Sequence, residues 1–312
     1  MKIAFFWTAN FSANILLWII QDDTIEVSFV VSQEDKQVWR KKILEETAVK
    51  KIAWEHGITV LQPRSLHNDT SISELAKDID FFVVVAYGKI IPEALLNIPN
   101  FWSINLHGSI LPKYRWASPV QESLKNGDKI TGLTTMYMSA WMDEWDILEI
   151  EEVVIGDDDT QVDIFQKFED VWPSVLVGTL KKVYEKRIVS KKQEATEASY
   201  CHKIMKADGE VFFAKETATD IYNKYRAYTP WPWIYSRFKT KKFSIVSCHI
   251  GNHWNIWKIG ECVRIWNEVG IVCFDKKVLF IEQIKLEWKG TMNILDYING
   301  APDFIWYEFL DV

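Results

Sequence analysis

Phe81-Phe82-Val83-Val84-Val85-Ala86 is a continuous aromatic and β-branched run with no polar interruption. A strand covered on both faces has this texture, because neither side of its pleat meets water. Upstream, residues 2–6 form a shorter apolar run, followed by a polar turn and an amphipathic stretch at 11–20, which reads as strand, loop and helix. Residues 26–31 read as a second strand and 36–51 as a charged helix or loop. Downstream, 103–106 is another short strand. Ser118-Pro119-Val120-Gln121 places Ser at N-cap, Pro at the first helical position and Gln at N3, and the helix it opens is predicted to end near Asn126-Gly127. Residues 132–138 and 148–154 alternate as strands do, and Asp159 or Thr160 caps a helix running to about residue 186. Strands alternating with helices in this way predict a parallel α/β sheet.

The texture changes after about residue 205. Strand-like pieces at 235–238, 243–249, 261–266, 270–273 and 278–286 are separated by turns carrying Gly, Asn or Lys, the pattern of a small OB-like β barrel. Residues 189–199 are polar without a period and read as a linker. The expected organisation is therefore a Rossmann-like parallel-sheet domain at 1–188, a linker at 189–204 and a C-terminal β barrel at 205–312.

Composition bounds the function. Of 312 residues, 48% are hydrophobic and 25% charged, ordinary for a soluble enzyme. The formal charge of −7 means that any RNA contact needs a local basic patch working against the overall field. Cys201, Cys248, Cys262 and Cys273 form no CxxC pair and no zinc spacing, so they read as buried reduced thiols of a cytoplasmic protein, without a metal. Cys248, His249 and His253 are the nearest approach to a metal cluster. Thr8, Asn10, Ser12 and Asn14 break up the apolar N-terminus, and no apolar run approaches a membrane span. No GxGxxG follows the first strand, which argues against a dinucleotide-dependent dehydrogenase.

The chemistry sits in Asn105-Leu106-His107-Gly108-Ser109-Ile110-Leu111-Pro112-Lys113-Tyr114-Arg115, with a second piece at Trp141-Met142-Asp143-Glu144-Trp145-Asp146. A lone His is more often structural than catalytic, and a lone Asp near a turn is usually a cap. Asn105 and His107, however, are two apart and share one face of a strand. They lie at the end of that strand, where open α/β sheets place their ligands.

The first segment resembles the NxHxSLLPxxRG signature of the folate-dependent formyltransferases, and WMDEWDIL resembles their GxDxGDxL loop. VVVAYGKIIP resembles the segment that helps wall their folate pocket. TPWP at 229–232 and the basic loop at 32–50 resemble features of the branch that acts on tRNA, so the similarity runs in order along essentially the whole chain. It implies formyl transfer from 10-formyltetrahydrofolate to methionyl-initiator tRNA by a monomer. Asn105 would donate to the formyl oxygen, His107 would polarise or protonate it, and Asp143 would orient the imidazole and help move the amine's proton. Folate would lie along Ala86, Tyr87 and Gly88, along Ser109, Ile110, Leu111 and Pro112, and near 130–138, with Ser109 either touching it or building the loop. Arg40, Lys41 and Lys42, beside Lys36, would meet the tRNA acceptor end, and Lys203, Lys206, Lys239, Lys241 and Lys242 would guide its arm. A bland reading of that charge run is a solvated helix face. The alternatives are an amino-sugar formyltransferase and a noncatalytic folate- or RNA-binding relative.

The resemblance fails in one repeated way: tryptophan stands where the family has glycine, at Trp7, Trp39, Trp102, Trp116, Trp141, Trp145, Trp172 and Trp288. The chain has 16 Trp and only 13 Gly. Exchanging all but Trp231 would leave 28 Gly and one Trp, near the usual glycine share of about 7%. The expectation is that most of these residues are UGA codons read as glycine in the source.

Overall fold

The computed structural model describes residues 1–8, 13–38, 43–67, 70–138, 143–251 and 257–310. Two compact units emerge. The first comprises Met1–Pro119, Ile130–Val154 and Phe165–Cys201; the second comprises Val120–Lys129, Ile155–Ile164 and His202–Val312.

The first unit is built on seven strands: β1 (Lys2–Trp7), β2 (Glu26–Val31), β3 (Thr59–Leu61), β4 (Phe81–Val85), β5 (Ser103–His107), β6 (Ile130–Tyr137) and β7 (Ile147–Val154). Their order is β7-β6-β5-β4-β1-β2-β3. β4 lies between β1 and β5, pairing parallel with both, and every residue of it is buried, as its unbroken apolar run requires. Period-2 alternation places Ala4 and Phe6 of β1, Phe29 and Val31 of β2, and Phe82 and Val84 of β4 in one core cluster. Phe6 and Phe82 meet there at 4.8 Å between ring centroids.

The expected parallel sheet is present, with an antiparallel edge. β1 to β5 are parallel neighbours, but β6 runs antiparallel to β5 and β7 antiparallel to β6. The connection from Tyr137 to Ile147 is too short for a parallel crossover, which needs a dozen or more residues. A correction concerns 36–51. Lys36–Val38 and Ile43–Glu45 form an antiparallel ribbon, followed by a helix at Ala48–Glu55.

The helix expected after Ser118 spans Pro119–Lys125, ending before Gly127 at φ +72°. The long helix spans Gln161–Tyr184, with the Thr160 hydroxyl donating to Asp163 at 2.6 Å. The segment read as a linker contains backbone pairing: Lys191 exchanges two hydrogen bonds with Ile147 at 2.8 Å each, and Tyr200–Cys201 pairs in parallel with Arg115–Trp116.

In the second unit, β8 (Ile234–Phe238), β9 (Lys241–Gly251), β10 (Cys262–Ile265), β11 (Glu268–Val272), β12 (Val278–Leu286) and β13 (Thr291–Asn293) make one antiparallel sheet. A helix at Ala218–Tyr228 carries a capping box between Thr217 and Asp220. The four cysteines are buried and none is joined in a disulfide. No group of described residues could hold a metal ion, and His253 lies outside them. No helix among the described residues is long and apolar enough to cross a membrane.

Candidate active site

β5 delivers Asn105 and His107 to the carboxyl-terminal edge of the parallel strands, two residues apart and on one face. Asp143 arrives from the β6–β7 connection with φ +57°. The three side chains converge. Asn105 Nδ2 lies 3.4 Å from Asp143 Oδ1, and His107 Nδ1 lies 3.7 Å from Asp143 Oδ2. That second separation is longer than a hydrogen bond. The same Oδ2 accepts the Trp116 backbone N–H at 2.9 Å.

His107 is oriented from its other nitrogen. Nε2 lies 2.9 Å from the Tyr114 carbonyl oxygen, an atom that can only accept, so Nε2 carries the proton in the neutral ring. Nδ1 is then the ring atom turned toward Asp143. The carboxylate therefore shares the working side of the ring with Asn105, while a backbone carbonyl supports the ring from behind.

The loop after β5 is built from its own polar atoms. The Ser109 side chain is fully buried and its hydroxyl donates to the Lys113 carbonyl at 2.6 Å, so Ser109 shapes the loop. The Thr134 hydroxyl donates to the Ser109 carbonyl at 2.6 Å and accepts the Leu111 N–H at 3.2 Å. Leu111 packs with Met136 and Ile147, while Ile110 and Pro112 are partly exposed. At the end of β4, Ala86 and Gly88 are exposed and Tyr87 is buried. The Tyr87 carbonyl accepts from Gln33 Nε2 at 2.8 Å and from the Thr8 hydroxyl at 3.0 Å. Gly88 sits at φ +75°, where an added Cβ would lie 2.7 Å from Gln33 Nε2.

Three groups that the sequence did not single out complete the site: the Tyr114 carbonyl, the Trp116 N–H and Gln193. Gln193 Nε2 donates to the carbonyls of Asp143 at 2.9 Å and Trp145 at 2.6 Å. Beside this loop lies a cavity of 460 Å³ lined by Trp102, Tyr137, Glu144, Trp145, Asp146, Lys192 and Gln193.

The expected RNA contacts divide. Arg40, Lys41 and Lys42 lie outside the described residues. Lys203, Lys206 and Lys241 are exposed. Lys239 pairs with Asp303, and Lys242 lies over the Tyr235 ring, with burial lowering its pKa.

Two family models match, Formyl transferase over residues 1–180 and Formyl transferase, C-terminal domain, over residues 203–302. The methionyl-tRNA formyltransferase of Sulfurimonas denitrificans is 38% identical over 304 residues, covering 96% of this chain and 97% of its own length. That of Sulfurovum sp. is 40% identical over 302 residues, covering 96% of each.

The chain belongs to the methionyl-tRNA formyltransferase family.

Solved structures share its fold. WlaRD, a sugar 3N-formyltransferase crystallised in the presence of dTDP and 5-N-formyl-THF, superposes with a TM-score of 0.65 at 18% identity, covering 93% of this chain and 99% of that one. HypX from Aquifex aeolicus, in complex with tetrahydrofolic acid, gives 0.64 at 13% identity, covering 98% of this chain and 48% of that one. Trp102 and Trp116 hold backbone at φ +89° and +84°, beyond the left-handed well that bulky residues occasionally enter.

Proposed function

We propose that this chain transfers the formyl group of 10-formyltetrahydrofolate to the α-amino group of methionyl-initiator tRNA, with Asn105, His107 and Asp143 as its catalytic residues. The amine lone pair attacks the formyl carbon and forms a C–N bond. The formyl oxygen becomes negative, and the tetrahedral species collapses as the bond to folate N10 breaks. The amine's proton is lost and N10 gains one, so the reaction is proton-neutral. Asn105 donates an amide N–H to the developing oxyanion, and His107, when protonated at Nδ1, adds a second donor. The Asp143 carboxylate receives the amine's proton and passes it toward N10.

The observation that carries this reading is the convergence of an amide, an imidazole and a carboxylate at the strand edge, with Asp143 3.4 Å from Asn105 and 3.7 Å from His107. Family membership at near-full length supports the acceptor. The folate is assigned to the exposed backbone at Ala86 and Gly88 and to the loop from Ser109 to Pro112. Charged side chains are absent from those stretches, which suits a pterin recognised by amide-like hydrogen bonds. The tRNA is assigned to Arg40, Lys41, Lys42, Lys203 and Lys206, and the enzyme works as a cytoplasmic monomer.

A formyl-transfer assay with 10-formyltetrahydrofolate tests the reading, offering methionyl-tRNA and a nucleotide-linked amino sugar as acceptors. Transfer to methionyl-tRNA alone is expected. Preferential transfer to the sugar would replace the acceptor, and transfer to neither would remove the activity.

A further inference from the structure

We infer that Gln193 is a positioning residue for the formyl transfer, holding the Asp143 loop against buried Arg115. The inference rests on the catalytic assignment above. A glutamine amide has two N–H donors and a carbonyl oxygen with two lone pairs, and Gln193 uses all four. Its Nε2 donates to the carbonyls of Asp143 and Trp145 at 2.9 and 2.6 Å. Its Oε1 accepts from Arg115 Nε at 3.1 Å and Nη2 at 2.8 Å.

Arg115 is itself fixed. It is 3% exposed, its Nη1 donates to the Tyr200 hydroxyl at 3.1 Å, and its backbone pairs with Tyr200. Residue 143 is thus gripped at both ends. The Trp116 N–H holds its carboxylate, and Gln193 holds its carbonyl from the opposite side of the chain.

The backbone at residue 143 requires such a grip. Asp143 sits at φ +57°, a conformation that persists only when its surroundings impose it. A carboxylate that wanders by about 1 Å loses on the order of a hundredfold in rate. The brace spans 50 residues, and it ties residue 193 to the geometry at residue 143.

Gln193→Ala removes all four bonds. Gln193→Glu keeps an acceptor for Arg115 and sets carboxylate lone pairs against two carbonyls. Both variants are expected to lower kcat about tenfold or more, with KM for the folate within about twofold. In an Asp143→Ala background, adding Gln193→Ala is expected to cost less than about twofold, because one residue acts through the other. Amide exchange over residues 143–147 in Gln193→Ala is expected to rise at least about tenfold. Parent-like exchange, parent-like kcat or a fully additive loss in the double variant overturns the inference. Fast exchange in Gln193→Ala from a parent that transfers no formyl group upholds the brace and counts against the functional reading instead.

The backbone carries a second, independent inference: we propose that residues 102, 116, 233, 266, 288 and 306 are glycine in the natural protein. Among the described residues, these six tryptophans are half of the twelve non-glycine residues with φ between +46° and +89°. Positive φ favours glycine, which has no Cβ to clash. At the surface the indoles bury little apolar area in compensation: Trp266 is 84% exposed and Trp288 99%. Trp233, Trp266 and Trp306 are singled out by conformation alone. Trp231 is not among the positive-φ residues, so its backbone gives no reason to replace it.

UGA differs by one base from both UGG, for tryptophan, and GGA, for glycine, so a source that reads UGA as glycine accounts for all six. The coding DNA is expected to show UGA at these six codons and UGG at 231; UGG at the six overturns the inference. A chain made with glycine at the six positions is expected to melt at least about 10 °C above the chain with tryptophan. An equal or lower melting temperature overturns it as well.

Discussion

The Asp143 carboxylate accepts the Trp116 backbone N–H at 2.9 Å, so a residue directly after buried Arg115 sets where the carboxylate proposed as catalytic stands. An amide can accept that same N–H, which makes Asp143→Asn a test of charge with geometry preserved. The variant is expected to lose at least about a hundredfold in kcat, the scale of one lost stabilising group in an acyl transfer, while its melting temperature stays within a few degrees of the parent. Asn105→Ala and His107→Ala are expected to lose as much. Near-normal turnover in purified Asp143→Asn would take the carboxylate out of the chemistry.

Thr134 ties β6 to the loop assigned to the folate. Its side chain is buried, and its hydroxyl satisfies both the Ser109 carbonyl and the Leu111 N–H. Valine has nearly the same shape but strands both backbone groups away from water, at about 1–3 kcal/mol. Thr134→Val is expected to lower the unfolding free energy by that amount, seen as a lower urea midpoint at unchanged slope, and to raise KM for the folate more than it lowers kcat. Unchanged stability and KM would mean that Leu111 and its hydrophobic neighbours hold the loop without the hydroxyl.

Those two sites differ in how far the sequence disclosed them. β4 was legible because burial on both faces leaves a run of five residues without a polar member. Asn105 and His107 were legible because period 2 on a strand puts them side by side. The antiparallel edge was hidden, since alternation looks the same in either direction; only the short connection from Tyr137 to Ile147 betrays it. The Tyr114 carbonyl and the Trp116 N–H carry no residue identity at all, so no motif reveals them. Gln193 lay in a stretch without period, because its contribution is hydrogen bonding to a loop 50 residues away. A run of basic residues near 36–51 suggested a charged helix or loop, whereas β-pairing of Lys36 with Glu45 and Val38 with Ile43 governs at its start.

Acid should loosen the first unit through Asp22. Its Oδ2 lies 2.8 Å from Lys181 Nζ, and Lys181, together with Thr24, holds its carboxyl down at about 2. A carboxylate with a depressed pKa in the folded state gives stability that is complete above its unfolded value, near 4, and is lost as pH falls through the folded value. The melting-temperature gap between the parent and Asp22→Asn is therefore expected to be constant above about pH 5 and to close between about pH 4 and pH 2. The pair is partly exposed, so salt should narrow the gap at neutral pH. A gap that persists at pH 2 would assign the stabilisation to hydrogen bonding of the neutral group.

Replacing Arg40 tests the proposed division between the two substrates. The molecule carries a net charge of −7, so phosphate must be attracted by a local concentration of cations, and Lys36, Arg40, Lys41 and Lys42 put four cations within seven residues. Removing one cation that neutralises a phosphate should reduce the salt dependence of binding by about one unit of slope and weaken affinity without regard to base identity. Arg40→Ala is expected to raise KM for methionyl-tRNA about tenfold, flatten its dependence on salt and leave KM for the folate within about twofold. Equal losses for both substrates would place Arg40 in the catalytic pocket, and a parent-like salt slope would return the basic run to a solvated surface.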